Sequence, residues 1–214
     1  MKKLLLASII SGLASVAAAD SFQDMNNNLY AQYQYVGFNG STGLEASQYG
    51  IGGTFQSKNN VWLNANAVSG TNNDTTSSSL GFAAGYAFQF FGDEQQGFQV
   101  IPHVNFSTQN GVQLGAVSTS GTQYVYGLGV KPEYRLLNSL KVAVDMTLLG
   151  TQTSNAAGDS TQIFAFAVTP GIQYDINKTV MLGLDYSYAA NFNNNTETAP
   201  NGVSTVTAKV GYLF

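Results

Sequence analysis

Period two governs this chain. In "LGFAAGYAFQF", Leu80, Phe82, Ala84, Tyr86, Phe88 and Phe90 alternate with Gly81, Ala83, Gly85, Ala87 and Gln89. Successive side chains of a strand point to opposite faces, so one face here is greasy and the other merely small. A soluble antiparallel strand shows Lys, Glu, Thr or Ser on its second face. The same alternation recurs in ten segments, near 28–37, 48–56, 61–69, 80–91, 97–107, 123–135, 140–149, 161–175, 180–190 and 203–214. Such a chain is all-β, and its odd second face decides what must surround the sheet.

The connections alternate between two kinds. Four are short: "SKNN", "GDEQQ", "LLNS" and "INKT". Five are long and polar, such as "TNNDTTSSS" within 69–79 and "NFNNNTETAPNG" at 191–202. Tight turns at one end, long loops at the other and an even strand count describe a closed antiparallel transmembrane β-barrel of ten strands; eight is the alternative. About ten residues at ~3.3 Å each, tilted by ~45°, span about 23 Å, close to the ~25 Å apolar band of such barrels.

The faces sort accordingly. In "YVYGLGVKPEYR", Tyr124, Tyr126, Leu128, Val130, Pro132 and Tyr134 share one face, while Gly127, Gly129, Lys131, Glu133 and Arg135 share the other. A lipid-facing Lys or Arg costs roughly 2–4 kcal/mol at the bilayer midplane, and no strand drawn above carries a charge on its apolar face. Outward rings gather near the short turns (Phe90, Phe98, Tyr134, Tyr212) and near the long loops (Tyr49, Phe106, Tyr124, Tyr188), with aliphatics between. Two aromatic bands match the two headgroup levels. A soluble sandwich, the competing architecture, would concentrate its rings in mid-strand.

The N-terminus reads as a secretory signal over residues 1–19. Lys2 and Lys3 precede a short apolar run, and Ala17, Ala18 and Ala19 precede Asp20. A retained anchor would need a longer apolar stretch. Residues 20–214 then form one barrel domain. At the other end, "AKVGYLF" places Val210, Tyr212 and Phe214 at alternate positions.

With signal, barrel and terminus in hand, the chain resembles the small outer-membrane β-barrel proteins of Gram-negative bacteria over essentially its full length. The resemblance implies an assembly signal in Val210, Tyr212 and Phe214, read by the barrel-assembly machinery after periplasmic chaperones deliver the chain. It implies residence in the outer membrane among lipid and lipopolysaccharide, with both termini periplasmic. Gly211 departs from the pattern by standing closer to the end than the signal's usual glycine.

Candidate functional residues are few. Lys131, Glu133, Arg135, Lys141, Asp145, Asp175, Asp185 and Lys209 are expected in the lumen, four basic and four acidic. They fit either an ion-filtering constriction or a salt-bridge network that fills the barrel, and their balance favours the network, since buried ions need partners. His103, the one histidine, is expected inward as a lumen hydrogen-bonder. No hydrolase motif appears, and without Cys or a second His no ordinary metal site is visible, so no catalytic residue, cofactor or metal is expected. The formal charge of −4 becomes about −6 once Lys2 and Lys3 are removed, with no basic patch for nucleic acid. The outer-loop acids Glu45, Asp74, Asp159 and Glu197 stand singly, unlike the clustered oxygens of a calcium site.

Three prolines, Pro102, Pro132 and Pro170, fall inside strands of a sheet that has no edge. Each lacks a ladder donor, so bulges or missing pairs are expected at one height, unless those strands are shorter than drawn.

The functional reading is a narrow passive pore or a largely sealed surface barrel that is not an enzyme. Small solutes are the partners implied by a pore. The alternative is an adhesin or recognition surface, for a host or phage ligand, carried by the five loops, and a third reading is a lipid- or peptide-processing outer-membrane enzyme with His103 as its participant. The signal reading predicts that N-terminal sequencing of the exported protein begins at Asp20; a mature chain still carrying residues 1–19 would contradict it.

Overall fold

The structure, a computed structural model, describes residues 21–39, 45–72, 75–92, 96–110, 113–114, 117–118, 122–154, 160–192 and 202–214. The signal segment and the acids Asp74, Asp159 and Glu197 lie outside them. A short helix, α1 (Ser21–Asn26), precedes β1 (Asn28–Asn39), β2 (Glu45–Gln56), β3 (Val61–Asn72), β4 (Thr75–Tyr86) and β5 (Phe88–Gly92). There follow β6 (Gly97–Asn110), a two-residue hairpin β7 (Gln113–Leu114) and β8 (Val117–Ser118), and β9 (Thr122–Leu137). The chain ends with β10 (Leu140–Ser154), β11 (Ser160–Asp175), β12 (Val180–Asn191) and β13 (Gly202–Leu213).

β1 to β4 and β9 to β13 each pair antiparallel with the next, β6 pairs with β5, β4 and β9, β1 pairs with β13 to complete the circle, and β7–β8 stands apart as its own two-stranded sheet. Closure gives each strand two neighbours, which hydrocarbon demands because it offers backbone groups no partner. β4 and β5 are one stave broken at Ala87, so the described residues form ten staves and the eight-strand alternative falls. The break has a local cause. β3 starts at Val61, opposite Tyr86, and the Ala87 amide donates instead to the Asn60 carbonyl at 2.8 Å. One extra residue between Gln89 and Phe91 then shifts the β5–β6 register, and Phe88, Phe90 and Phe91 all face outward. The turns are tight, with Asn60 and Lys178 in the left-handed region at φ 63° and 59°.

The faces are inverted relative to a soluble protein. Outward Leu128 and Tyr49 are each 67 % exposed, while inward Gln99 and Glu133 are 0 % exposed. Inward glycines make room for large lumen groups. A Cβ on Gly52 would stand 2.6 Å from the Tyr30 ring, and one on Gly129 would stand 2.5 Å from the His103 ring.

All three prolines sit at gaps in the ladder. The β4–β6 register stops at Gly85↔His103, and pairing resumes at Phe88↔Val100, skipping Pro102. Between β9 and β10 it skips from Ala143↔Glu133 to Met146↔Val130, across Pro132. Between β11 and β12 it skips from Val168↔Tyr188 to Gly171↔Asp185, across Pro170. The register places the three close in height, since Val100 faces Pro132 and Val144 faces Pro170. The strands are longer than drawn from sequence, so shortening does not explain the prolines. Part of the 108–122 segment read as loop is ladder, out to Asn110↔Thr122.

Leu128→Arg is expected to lower unfolding stability in lipid vesicles by about 2–4 kcal/mol. Lys58→Ala, in an exposed turn, is expected to stay within about 0.5 kcal/mol. Equal effects of the two substitutions in a denaturant titration would contradict the outward placement of Leu128.

Candidate lumen site

The inward positions of the staves converge on one polar interior. At the short-turn end it is filled by α1. Phe22, Gln23, Met25 and Asn26 of this helix are 1–5 % exposed. Gln23 donates from Nε2 to the Ser57 carbonyl at 3.1 Å, and Gln173 donates to the Met25 carbonyl at 2.9 Å. The Asn27 side chain accepts from the Gln56 amide at 2.7 Å. The Arg135 guanidinium lies over the Phe22 ring, 5.8 Å from its centroid.

Glu133 is the centre of the network above and beside this plug. Its carboxylate takes Lys131 Nζ at 2.8 Å and Lys141 Nζ at 3.6 Å. Gln99 and Asn26 donate amide hydrogens to Oε2 at 2.7 and 2.9 Å. Gln56 and Gln99 exchange amide bonds at 3.1 Å, Asn26 also donates to Gln56, and Lys141 donates to Asn26 Oδ1. An isolated carboxylate at this depth would cost several kcal/mol, and only this density of cations and donors offsets it. Register explains the meeting: Gln99 stands opposite Glu133, and Lys141 opposite Arg135.

The other expected lumen charges are also paired locally. Lys209 bridges to Asp185 and lies 5.0 Å over the Tyr30 ring. Asp175 accepts from Gln173 at 3.0 Å, and Arg135 donates to the Gln96 carbonyl at 3.5 Å. Asp145 accepts from Thr147 at 2.7 Å and stands 3.5 Å from His103 Nε2. His103 donates from Nδ1 to the Ile101 carbonyl at 3.2 Å, and its ring centroid is 5.7 Å from that of Trp62. The eight charges thus form small clusters rather than one ring. Among the described residues, no three His, Cys, Asp or Glu side chains gather as metal ligands. Val210 and Tyr212 face outward, 52 % and 55 % exposed, and the Phe214 amide donates to the Asn27 carbonyl at 3.0 Å.

Above α1 a column of about 400 Å³ remains, lined by β1, β3 and the β9–β13 wall. Its wall carries Gln32 and Gln34 beside Lys209 and Thr207, their register partners on β13, with Asn64 and Asn66 from β3 and Asp185 from β12. Neither the plug nor the glutamines are disclosed by local sequence pattern. The one available hint is Phe22 and Met25 at helical i, i+3 spacing just before the first strand.

No family model and no curated protein matches the chain. Among solved structures, the NanC porin aligns with TM-score 0.52 at 11 % identity, over 87 % of this chain and 100 % of that one. The outer-membrane protease OmpT of Escherichia coli aligns with TM-score 0.48 at 7 % identity, over 88 % and 94 %. Ail, the attachment invasion locus protein of Yersinia pestis, aligns with TM-score 0.42 at 12 % identity, over 87 % and 95 %. At 11 % identity the likeness to NanC is one of fold alone, that of an outer-membrane β-barrel, and this fold supports an outer-membrane location.

Glu133→Ala is expected to cost about 3–5 kcal/mol, because it strands Lys131 and Lys141 in the interior. Glu133→Gln, which keeps an acceptor for Asn26 and Gln99, is expected to fall between wild type and the alanine variant. A loss below about 1 kcal/mol for the alanine variant, read from denaturant midpoints, would contradict a keystone role.

Proposed function

We propose that this protein is a sealed outer-membrane barrel rather than an open pore, held with its short turns and both chain ends in the periplasm. The observation that carries the reading is α1, seated in the short-turn mouth and bonded to three different staves. Gln23 reaches the turn after β2, Asn26 reaches Gln56 and Glu133, and Gln173 reaches the Met25 carbonyl. A hydrated ion would have to displace a helix whose buried polar groups are matched to the wall, and each unmatched group costs about 1–3 kcal/mol.

The charge pattern supports the same reading. A selective constriction works through uncompensated charge of one sign. Here Lys131 and Lys141 are spent on Glu133, and Lys209 on Asp185. These pairs fix side chains in place instead of presenting a field to passing ions.

The mature protein in planar bilayers is therefore expected to show no steady single-channel steps. Deletion of Ser21–Asn26 is expected to produce them in a barrel that still shows the heat-dependent gel mobility of folded barrels. Steady conductance by the intact mature chain, with ion selectivity altered by Glu133→Lys, would overturn the sealed reading in favour of a pore.

A further inference from the structure

We propose that the column above α1 binds a small zwitterionic α-amino acid, its carboxylate on Lys131 and its ammonium group on Asp145. The inference rests on the sealed reading only in that α1 forms the floor. Both side chains line the column and reach it: that of Lys131 is 21 % exposed and that of Asp145 27 %. Register brings them face to face. Pairing of β9 with β10 stops at Ala143↔Glu133 and resumes unshifted at Met146↔Val130. Lys131 and Asp145, each two residues from the Ala143–Glu133 pair, therefore stand opposite one another across the Pro132 gap. Directly opposed side chains on neighbouring strands have Cβ atoms about 4.5–5.5 Å apart.

The charge left over after pairing selects the ligand. Lys131 and Lys141 share one carboxylate, that of Glu133, at 2.8 and 3.6 Å. One positive charge of this trio is in surplus, and it reaches the column through Lys131, because Glu133 and Lys141 are buried. Asp145 is the opposite case. It accepts from the Thr147 hydroxyl at 2.7 Å, and among the described residues no Lys or Arg forms an ion pair with it. His103 Nε2 stands 3.5 Å away, beyond the ~2.7–3.2 Å of an N–H···O bond, and that ring donates from Nδ1 to the Ile101 carbonyl. Lys131 does not close on Asp145, because its ammonium is turned to Glu133 and lies over the Trp62 ring, 5.1 Å from the centroid. Asp185 adds neither sign, since Lys209 closes on it.

A surplus of each sign, side by side, answers a molecule that carries both. A simple anion would meet Lys131 but lie against Asp145, and a simple cation would do the reverse. Each leaves one charge uncompensated in an interior of low dielectric. In an α-amino acid the ammonium and carboxylate are held on one carbon, close enough to span a single rung of the sheet. The hydroxyls of Thr169, Ser187 and Thr205 line the same column and suit a short polar side chain. The volume of about 400 Å³ falls within the ~300–1,000 Å³ of small-molecule sites. Because the two signs adjoin, the site presents no field of one sign, as befits a barrel that does not select ions.

Trp62, the single tryptophan of the chain, lies under the Lys131 ammonium, so its selectively excited emission senses a carboxylate arriving there. Mature protein in lipid nanodiscs is titrated with L-serine, with ethanolamine, which lacks the carboxylate, and with lactate, which lacks the ammonium group, all at one ionic strength. Serine is expected to give a saturable change that neither single-charge compound gives over the same range. Asp145→Asn is expected to raise the half-saturation for serine on the order of tenfold and to let lactate bind, because only the positive surplus then remains. If that variant does not fold, the three-compound comparison in the wild type decides. No saturable response to serine, a response that ethanolamine or lactate reproduces in the wild type, or a folded Asp145→Asn variant that binds serine unchanged overturns the proposal. Failure here leaves the conductance result standing, and steady conductance with a saturable Trp62 response would remove the floor but not the site.

Discussion

Hydrocarbon offers the peptide group no partner, and the rest of this structure follows from that constraint. Each N–H and C=O within the membrane must find a strand on either side, so the sheet closes on itself. Once closed, one face of every stave meets acyl chains. Leu128, Leu184 and Ile51 stand there more than half exposed, as they could not around a water-soluble core. The other face meets an interior too narrow to hydrate every group, and polar residues placed there must satisfy one another. Burial in this protein thus means burial of polarity.

The interior solves that problem around Glu133. A carboxylate with no solvent exposure is tolerable because two ammonium groups and two amides converge on it, one of those amides from α1. The helix and the network support each other. Six residues cannot hold a helix alone in water, since nucleation is costly and the isolated turn is short. Tertiary bonds from Gln173, Ser57 and Lys141 make this one persist. The same bonds turn a hollow stave ring into a floored vessel.

How far the sequence discloses this depends on the range of the interaction. Alternation is local, so the outward set Leu128, Val130 and Pro132 and the inward set Lys131, Glu133 and Arg135 are legible from the 123–135 segment alone. The proline gaps were legible for the same reason: a missing donor is a property of the residue. The break at Ala87 was not, because Tyr86 and Phe88 keep the alternation going on either side while a distant turn takes the Ala87 amide. Nor was α1, whose six residues are too few for a helical period to declare itself. The meeting of Asn26 with Glu133 spans 107 positions and depends on a register that no local pattern encodes. Charge balance pointed to a network, but its members among the glutamines, Gln56 and Gln99, carry no charge to announce them.

The central claim is which face of each stave meets lipid, and depth-resolved spin labelling tests it directly. The chain has no cysteine, so single labels can be placed at outward Leu128 and Leu184 and at inward Thr147 and Gly183. In bilayers, the outward labels are predicted to collide with membrane-dissolved oxygen and to be shielded from a water-soluble nickel chelate, while the inward labels are shielded from oxygen. Outward labels that respond to the chelate as freely as a label on the Lys58 turn would mean that those faces meet water, and the barrel account would fail.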